Sequence, residues 1–322
     1  MTDAASGPRP DRVLIVSWAS FLHGEATAGD VLAMEAAREA LSAAGIACDL
    51  AWSPVFRPGA RTLADSPPGD YTHLVFTCGP AHGWQVERLH ERYRSCHRIA
   101  VGVSVIDPAD PAVAGFHHVF PRDAPGMTGR LDLAGAVPVP AVPVAAVILA
   151  AAQPEYADRG RHSQLTTEIG GWLATIDCAR VPVDTRLAHG DWRSPATAAQ
   201  VEAVISRADV VVTTRLHGLV LALKNGVPAL AIDPVTGGAK VAAQAAVWGW
   251  PVLLPRYRDA VHHGPVPGHL GLDEPVLDRG ELDRLWAWCR SAPARARAGA
   301  APGAQTARPL TADLLSALKT VS

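Results

Sequence analysis

Paired cysteines are the first absence. The five cysteines, Cys48, Cys78, Cys96, Cys178 and Cys289, are scattered, odd in number and form no C-x-x-C pair. That pattern favours neither a zinc site nor a disulfide framework, and free thiols in a reducing cytosol are expected. A charge excess is missing too. Lys and Arg total 29 against 31 for Asp and Glu, a formal net charge of −2, without the basic surplus of a nucleic-acid binder. There is no unbroken apolar run of spanning length, because the most apolar stretch, residues 134–152, is interrupted by Pro138, Pro140 and Pro143 and reads as a linker and a strand. Residues 1–11 lack the apolar heart of a signal peptide. No repeat at solenoid spacing is evident. These absences lead to the expectation of a soluble, cytoplasmic protein with no transmembrane segment and no nucleic-acid partner.

What is present is a hydrophobic fraction of 48% against 19% charged residues, enough to bury a sizeable core. Short apolar runs alternate with helical periodicity. Arg12–Ser17 reads as a strand buried on both faces. Asp30 stands where a helix N-cap would, Val31, Met34, Ala37, Leu41 and Ala44 give that helix its apolar face, and Gly45 ends it. Strands follow at 47–52, 74–77, 99–105 and 118–120, with a helix over 86–94. A second series starts at Ala145 and continues with a helix over 162–175, a strand over 180–183 and a helix opening at Ser194-Pro195. Its clearest part is a strand over 209–213, a helix over 216–224 closed by Asn225-Gly226, and a strand over 229–232 beyond Pro228. The spacing predicts two α/β domains with mostly parallel sheets: residues 1–143, residues 144–292, and a flexible connector with a C-terminal helix over 293–322.

Ligands of open parallel sheets sit beyond the carboxyl ends of the strands, which directs attention to Thr213-Thr214-Arg215-Leu216-His217-Gly218. Arg215 can grip a carboxylate or phosphate, His217 can exchange a proton near neutrality, and Gly218 at a helix N-terminus leaves room for an anion. A structural ion pair for Arg215 and a self-capping role for His217 are the bland alternatives. The loop Asp233–Lys240 offers two exposed-backbone glycines and the Lys240 charge. The loop His23–Asp30 lacks both G-x-G-x-x-G and G-x-x-x-x-G-K-[ST]. Cys78–Gly83, with His82, ends another strand. The pairs His117-His118 and His262-His263 make no chelating unit, since neighbours on a strand face opposite ways, so no metal is expected.

The run Ala208–Pro228, continuing through Ala231-Ile-Asp-Pro234 to Lys240, resembles the polysaccharide pyruvyl transferase family. Weaker agreement lies at Gly29-Asp30 and at Arg122-Asp123. The resemblance implies two Rossmann-like domains facing a cleft, similar to GT-B glycosyltransferases. It also implies phosphoenolpyruvate as co-substrate, with no further cofactor, and a saccharide or saccharide-lipid acceptor. Arg215 and His217 would be the donor-site residues, with Gly218, Lys240, Asp30 and Arg122 as substrate-binding candidates. The chain departs from the family at Cys78-Gly79-Pro80, at Gly126-Met127 and at Thr27, all in the half that would handle the acceptor. Two other readings share the same residues: a GT-B glycosyltransferase using a nucleotide sugar, and a family member that binds an anion without turnover.

Overall fold

The structure is a computed structural model that describes residues 11–138, 141–255, 276–300 and 310–319. The chain divides into two compact units, Met1–Pro140 and Ala141–Ser322. The first runs β1 (Arg12–Val16), α1 (Ala28–Ala43), β2 (Ala47–Leu50), β3 (His73–Thr77), α2 (Trp84–Arg92), β4 (His97–Ser104), α3 (Pro111–Ala114) and β5 (His118–Asp123). The second runs β6 (Val144–Ile148), α4 (His162–Leu173), β7 (Ala179–Pro182), α5 (Ala198–Ile205), β8 (Val210–Thr213), α6 (Leu216–Lys224), β9 (Ala229–Ile232), α7 (Lys240–Val247) and β10 (Val252–Leu253). Then follow α8 (Arg279–Cys289), α9 (Ala292–Gly299) and α10 (Leu310–Lys319).

Each unit holds a five-stranded parallel sheet, in the order β2-β1-β3-β4-β5 and β7-β6-β8-β9-β10. The same topology is therefore used twice, and in each case the strand order reverses beside the first strand. That reversal leaves a crevice at the carboxyl ends of β1 and β3, and of β6 and β8. Both units are Rossmann-like.

Burial follows the two-residue period of a strand. Leu14 and Val16 belong to the core on one face of the first sheet, while Val13 and Ile15 belong to the core on the other. In the second sheet Val210 and Val212 pack under α4 and α8, and Val211 packs with α6 and α7. Continuous apolar runs are what a sheet covered on both faces demands. Pro121 is tolerated inside β5 because that strand lies at the sheet edge.

Several local expectations are corrected. Thr27, not Asp30, is the N-cap of α1. Its hydroxyl accepts the Asp30 N–H, while the Asp30 carboxylate reaches back to the Thr27 N–H, a reciprocal capping box. The helix expected at Ser194-Pro195 begins at Ala198, because Thr197 and Gln200 form another such box. The strand expected over 118–120 extends through Arg122 and Asp123. Lys240 is not in a loop but opens α7. The start of the expected connector is helical: Ser291 caps α9, and Ala294 and Ala298 are buried, Ala298 in the core that contains α6. In α10 the apolar face stands open, with Leu310, Leu314, Leu315 and Leu318 exposed. Pro140 and His262-His263 lie outside the described residues.

Candidate functional site

In the second unit, β6 and β8 are fastened together just past their ends. The Thr213 hydroxyl donates to the Ile148 carbonyl (2.9 Å) and accepts the Arg215 N–H (2.9 Å). The Thr214 hydroxyl accepts the Ala150 N–H at 2.8 Å. These bonds place Arg215 as the N-cap of α6, which receives no side-chain cap, so the helix presents its positive end at the crevice.

The Arg215 side chain is 21% exposed, and its Nη1 donates to Asp184 Oδ1 (3.0 Å) and Thr185 Oγ1 (2.7 Å). Asp184 also takes Arg186 through its N–H at 2.8 Å and its guanidinium at 2.6 Å. The Asp184 carboxyl is held below the usual range, first by the hydrogen bond from Arg186 and further by the charges of Arg186 and Arg215. His217, one turn position on, is exposed. Arg215 thus does form an ion pair, yet Nη1 alone is engaged in it.

Gly218 has a packing reason. A Cβ there would stand 2.1 Å from Thr213 Oγ1, 2.9 Å from Thr213 Cβ and 3.3 Å from Ile148 Cγ2. Its missing side chain lets α6 lie against β6 and β8, rather than opening the backbone to a ligand.

The loop after β9 is organised by Asp233, which is fully buried and accepts the N–H groups of Val235 (3.0 Å), Ala239 (2.8 Å) and Ala242 (2.8 Å). Gly237 and Gly238, at φ +80° and +82°, supply the turn. Lys240 stands 5.6 Å from the centre of the Tyr156 ring, and Tyr156 stacks on His162. Lys240 is therefore grouped with the loop that follows β6. Among the described residues no hydrogen bond or ion pair links it to Arg215 or His217.

In the first unit a cavity of about 530 Å³ opens at the reversal between β1 and β3, and Asp30, Arg122, Cys78, Trp18 and His23 line it. Two sequence candidates, Asp30 and Arg122, are thereby brought together. Asp30 is 5% exposed. Arg122 donates to Asp123 (2.8 Å), to Ser104 (2.6 Å) and to Asp132; the hydrogen bonds to Asp123 and Asp132 drive its pKa further up. Cys78 sits in a left-handed backbone conformation, φ +60°, a sparsely populated one for a residue with a side chain. Burial, and secondarily the Asp30 carboxylate, push its thiol up, keeping it protonated at neutral pH. Gly79 follows at φ +66°, and a Cβ there would meet the Trp18 indole at 2.3 Å. Trp18 donates from Nε1 to the Pro80 carbonyl at 3.1 Å, so the Cδ1–Nε1 side of the indole is held against the glycine. His82 is turned outward and pairs with Asp110. A larger cavity, about 750 Å³, begins at the same His23 and runs past Phe21, Leu63 and Trp84 to Arg88 and Arg92.

Sequence reasoning missed Asp184, Thr185 and Trp18. The signal for the first two was available, since they follow a strand directly and the carboxyl-end rule covers every strand. His117 and His118 belong to a ring cluster with His97, whose centres lie 4.5 and 5.0 Å away. Among the described residues no group of three or more His, Cys, Asp or Glu is set to hold a metal ion, and no helix is long and apolar enough to cross a membrane.

Comparison with known proteins bears on the second unit. The chain is similar in fold to a UDP-GlcNAc 2-epimerase from Methanocaldococcus jannaschii (8% identity, 88% of this chain and 94% of that one, TM-score 0.30). It is also similar to the E. coli heptosyltransferase WaaC with ADP (17% identity, 76% and 93%, TM-score 0.24) and to the spinosyn forosaminyltransferase SpnP (12% identity, 96% and 100%, TM-score 0.30). No curated protein sequence matches the chain. The family model that does match is that of polysaccharide pyruvyl transferase, over residues 183–234, a stretch that runs from the end of β7 through Asp184, Arg215 and His217 to the loop after β9. The segment that builds the Arg215 site is accordingly similar to the corresponding part of the polysaccharide pyruvyl transferases, a family of transferases.

Proposed function

We propose that the protein transfers the enolpyruvyl group of phosphoenolpyruvate to two hydroxyls of a saccharide acceptor, forming a pyruvate ketal and releasing phosphate. The observation that carries this reading is the Arg215–His217 pair within the segment matched by the family model. Arg215 is held at one nitrogen by Asp184 and Thr185, and among the described residues Nε and Nη2 have no hydrogen-bond partner and are the nitrogens this reading gives to an anion. His217, exposed on the first turn of α6, is the proton donor of this reading.

The chemistry asks for three things. The methylene carbon of the enol ester takes a proton, and His217 in its imidazolium form is the donor. The adjacent carbon, now oxocarbenium-like, accepts the oxygen of one acceptor hydroxyl, which gives up its proton. The carbon–oxygen bond to phosphate then breaks, and the second hydroxyl closes the ring with loss of its proton. Negative charge on the carboxylate and the departing phosphate is met by Arg215 and by the open N-terminus of α6. The acceptor belongs to the first unit's cavity, with the Asp30 carboxylate and the Arg122 guanidinium as hydroxyl partners.

The test is release of phosphate from phosphoenolpyruvate across a panel of saccharide and saccharide-lipid acceptors, with His217→Ala and Arg215→Ala beside wild type. Each substitution is expected to lower the rate about 10²- to 10⁴-fold. Near-normal turnover in both variants would remove this site. Thermal stabilisation by a uridine nucleotide and none by phosphoenolpyruvate would favour nucleotide-sugar chemistry instead.

A further inference from the structure

The loop that joins β6 to α4 encloses a cavity of about 350 Å³, walled by Gln153, Pro154, Gly160, Arg161, His162 and Ser163. It lies past the carboxyl end of the first strand of the second sheet, the strand paired with β8. Two features of its wall have no internal explanation. His162 is 4% exposed, yet among the described residues its Nε2 has no hydrogen-bond partner, and the buried Oε1 of Gln153 has none either. A buried polar atom without a hydrogen bond is destabilising, so two in one wall mark a place where something else completes the bonding. The 12-residue helix α4 also starts here with no side-chain cap, Arg161 being its N-cap and His162 its first residue.

We propose that this cavity is an anion subsite that binds a phosphate group, held by the N-terminus of α4, the His162 imidazole and the Arg161 guanidinium. A helix start provides N–H groups and a positive potential for such a group. The Gln153 amide, whose oxygen and nitrogen exchange places when its terminal bond turns, adds a donor. The loop is rigid enough to be a site. Arg161 N–H bonds to the Pro234 carbonyl (2.8 Å), Thr236 N–H to the Arg159 carbonyl (3.0 Å), and the Arg159 guanidinium to the carbonyls of Thr236 (3.1 Å) and Gly238 (3.2 Å). The charged groups that act on His162 are Lys240 on α7, Glu155 in its own loop and Asp233 after β9. Asp233 is committed to three backbone N–H groups, so its oxygens are turned to the loop after β9 while Lys240 supplies a positive charge near His162. Burial holds the imidazole toward its neutral form. An anion against Nε2 reverses that preference and draws in a proton. The subsite does not depend on which group the enzyme transfers.

The experiment uses the full chain without donor or acceptor. Sulfate, which keeps its charge across the range, is titrated calorimetrically at pH 6 and pH 8, and inorganic phosphate and phosphoenolpyruvate at pH 7. Wild type is expected to bind sulfate saturably and more tightly at pH 6. His162→Gln is expected to weaken binding about tenfold or more and to flatten the pH dependence, as loss of a hydrogen bond to a charged group implies. Because His162 is buried, Ser163→Asp is the second variant. Ser163 is exposed and an acidic residue in the first turn favours the helix, so this variant folds while its carboxylate competes with the anion and abolishes binding. The component of sulfate and inorganic phosphate binding that Ser163→Asp removes should persist in Arg215→Ala, which separates this subsite from the proposed donor site. Phosphoenolpyruvate binding that is weakened by both Ser163→Asp and Arg215→Ala would assign the subsite to the donor's phosphate. Binding weakened by Ser163→Asp alone would assign it to a separate phosphate-bearing ligand. No saturable sulfate binding by wild type, or unchanged binding in Ser163→Asp, overturns the proposal.

Discussion

Gly218→Ala gives a test of sign as well as size. Alanine is the better helix former, and an open helical glycine replaced by alanine gains about 1 kcal/mol. Gly218 is not open: the new methyl would stand 2.1 Å from Thr213 Oγ1 and 2.9 Å from Thr213 Cβ. Neither atom is the end of a flexible chain. The hydroxyl is committed to the Ile148 carbonyl and the Arg215 N–H, so yielding would break the junction of β6 and β8. Overpacking costs about 1–3 kcal/mol before such bonds are counted, and losing their partner adds about 1–3 kcal/mol. The combined penalty therefore exceeds the propensity gain, and a net loss of about 1–5 kcal/mol is expected. Urea unfolding measures it, and amide hydrogen exchange in α6 localises it. Thr213→Ala removes the atom at 2.1 Å, so the double variant should fall short of the summed single losses by about 1 kcal/mol or more. A Gly218→Ala protein as stable as wild type, or more so, would refute the packing account of this glycine.

Asp184→Asn keeps a hydrogen-bonding partner for Arg215 but removes the charge that fixes it. The expected outcome is a higher KM for phosphoenolpyruvate with kcat within a fewfold of wild type, read by steady-state phosphate release. Gly79→Ala would force a Cβ into the Trp18 indole at 2.3 Å from a φ of +66°; a loss of more than about 1 kcal/mol is expected by urea unfolding. His90 is packed edge-on against Phe116 with Nδ1 buried and unpaired, and burial lowers its pKa. A histidine whose folded pKa lies below its unfolded value contributes fully above the unfolded pKa, about 6.5. That stability drains away as pH falls from there toward the folded pKa. Urea midpoints between pH 7.5 and 5 should therefore fall more steeply for wild type than for His90→Gln. Ala298→Asp puts an unpaired carboxylate where α9 is 2% exposed, and a loss of about 3 kcal/mol or more is expected; no effect would return residues 292–299 to the role of a connector.

How far the sequence could be read depended on whether each boundary had a local chemical cause. The bounds of α6 and β9 were legible to the residue because Asn225-Gly226 ends the helix and Pro228 forbids its continuation. Where two signals competed, the reciprocal one won. Thr27 with Asp30 and Thr197 with Gln200 each satisfy two backbone or side-chain partners at once, and a lone Asp30 cap or a Ser194-Pro195 start satisfies fewer. The stretch after Ser291 was misread from composition, although alanine and arginine are good helix formers and a capping serine stood in place.

The candidate site shows the same division between what is local and what is tertiary. Its position was legible, because one strand order used twice puts a crevice beyond β1 and β3 and another beyond β6 and β8, and the conspicuous side chains fall there. Their partners were not. Nothing local to Arg215 announces that Asp184, 31 residues earlier, will take its Nη1, or that Lys240 will stand over Tyr156. Those pairings follow from which strands neighbour each other: β7 and β8 both flank β6, so the loops after them share one edge. A buried histidine with a nitrogen left unpaired among the described residues is the extreme case, since its surroundings are tertiary: the charge that acts on it most belongs to Lys240, 78 positions away. Sequence periodicity thus tells where the crevices lie, and only the assembled loops tell which side chains meet there.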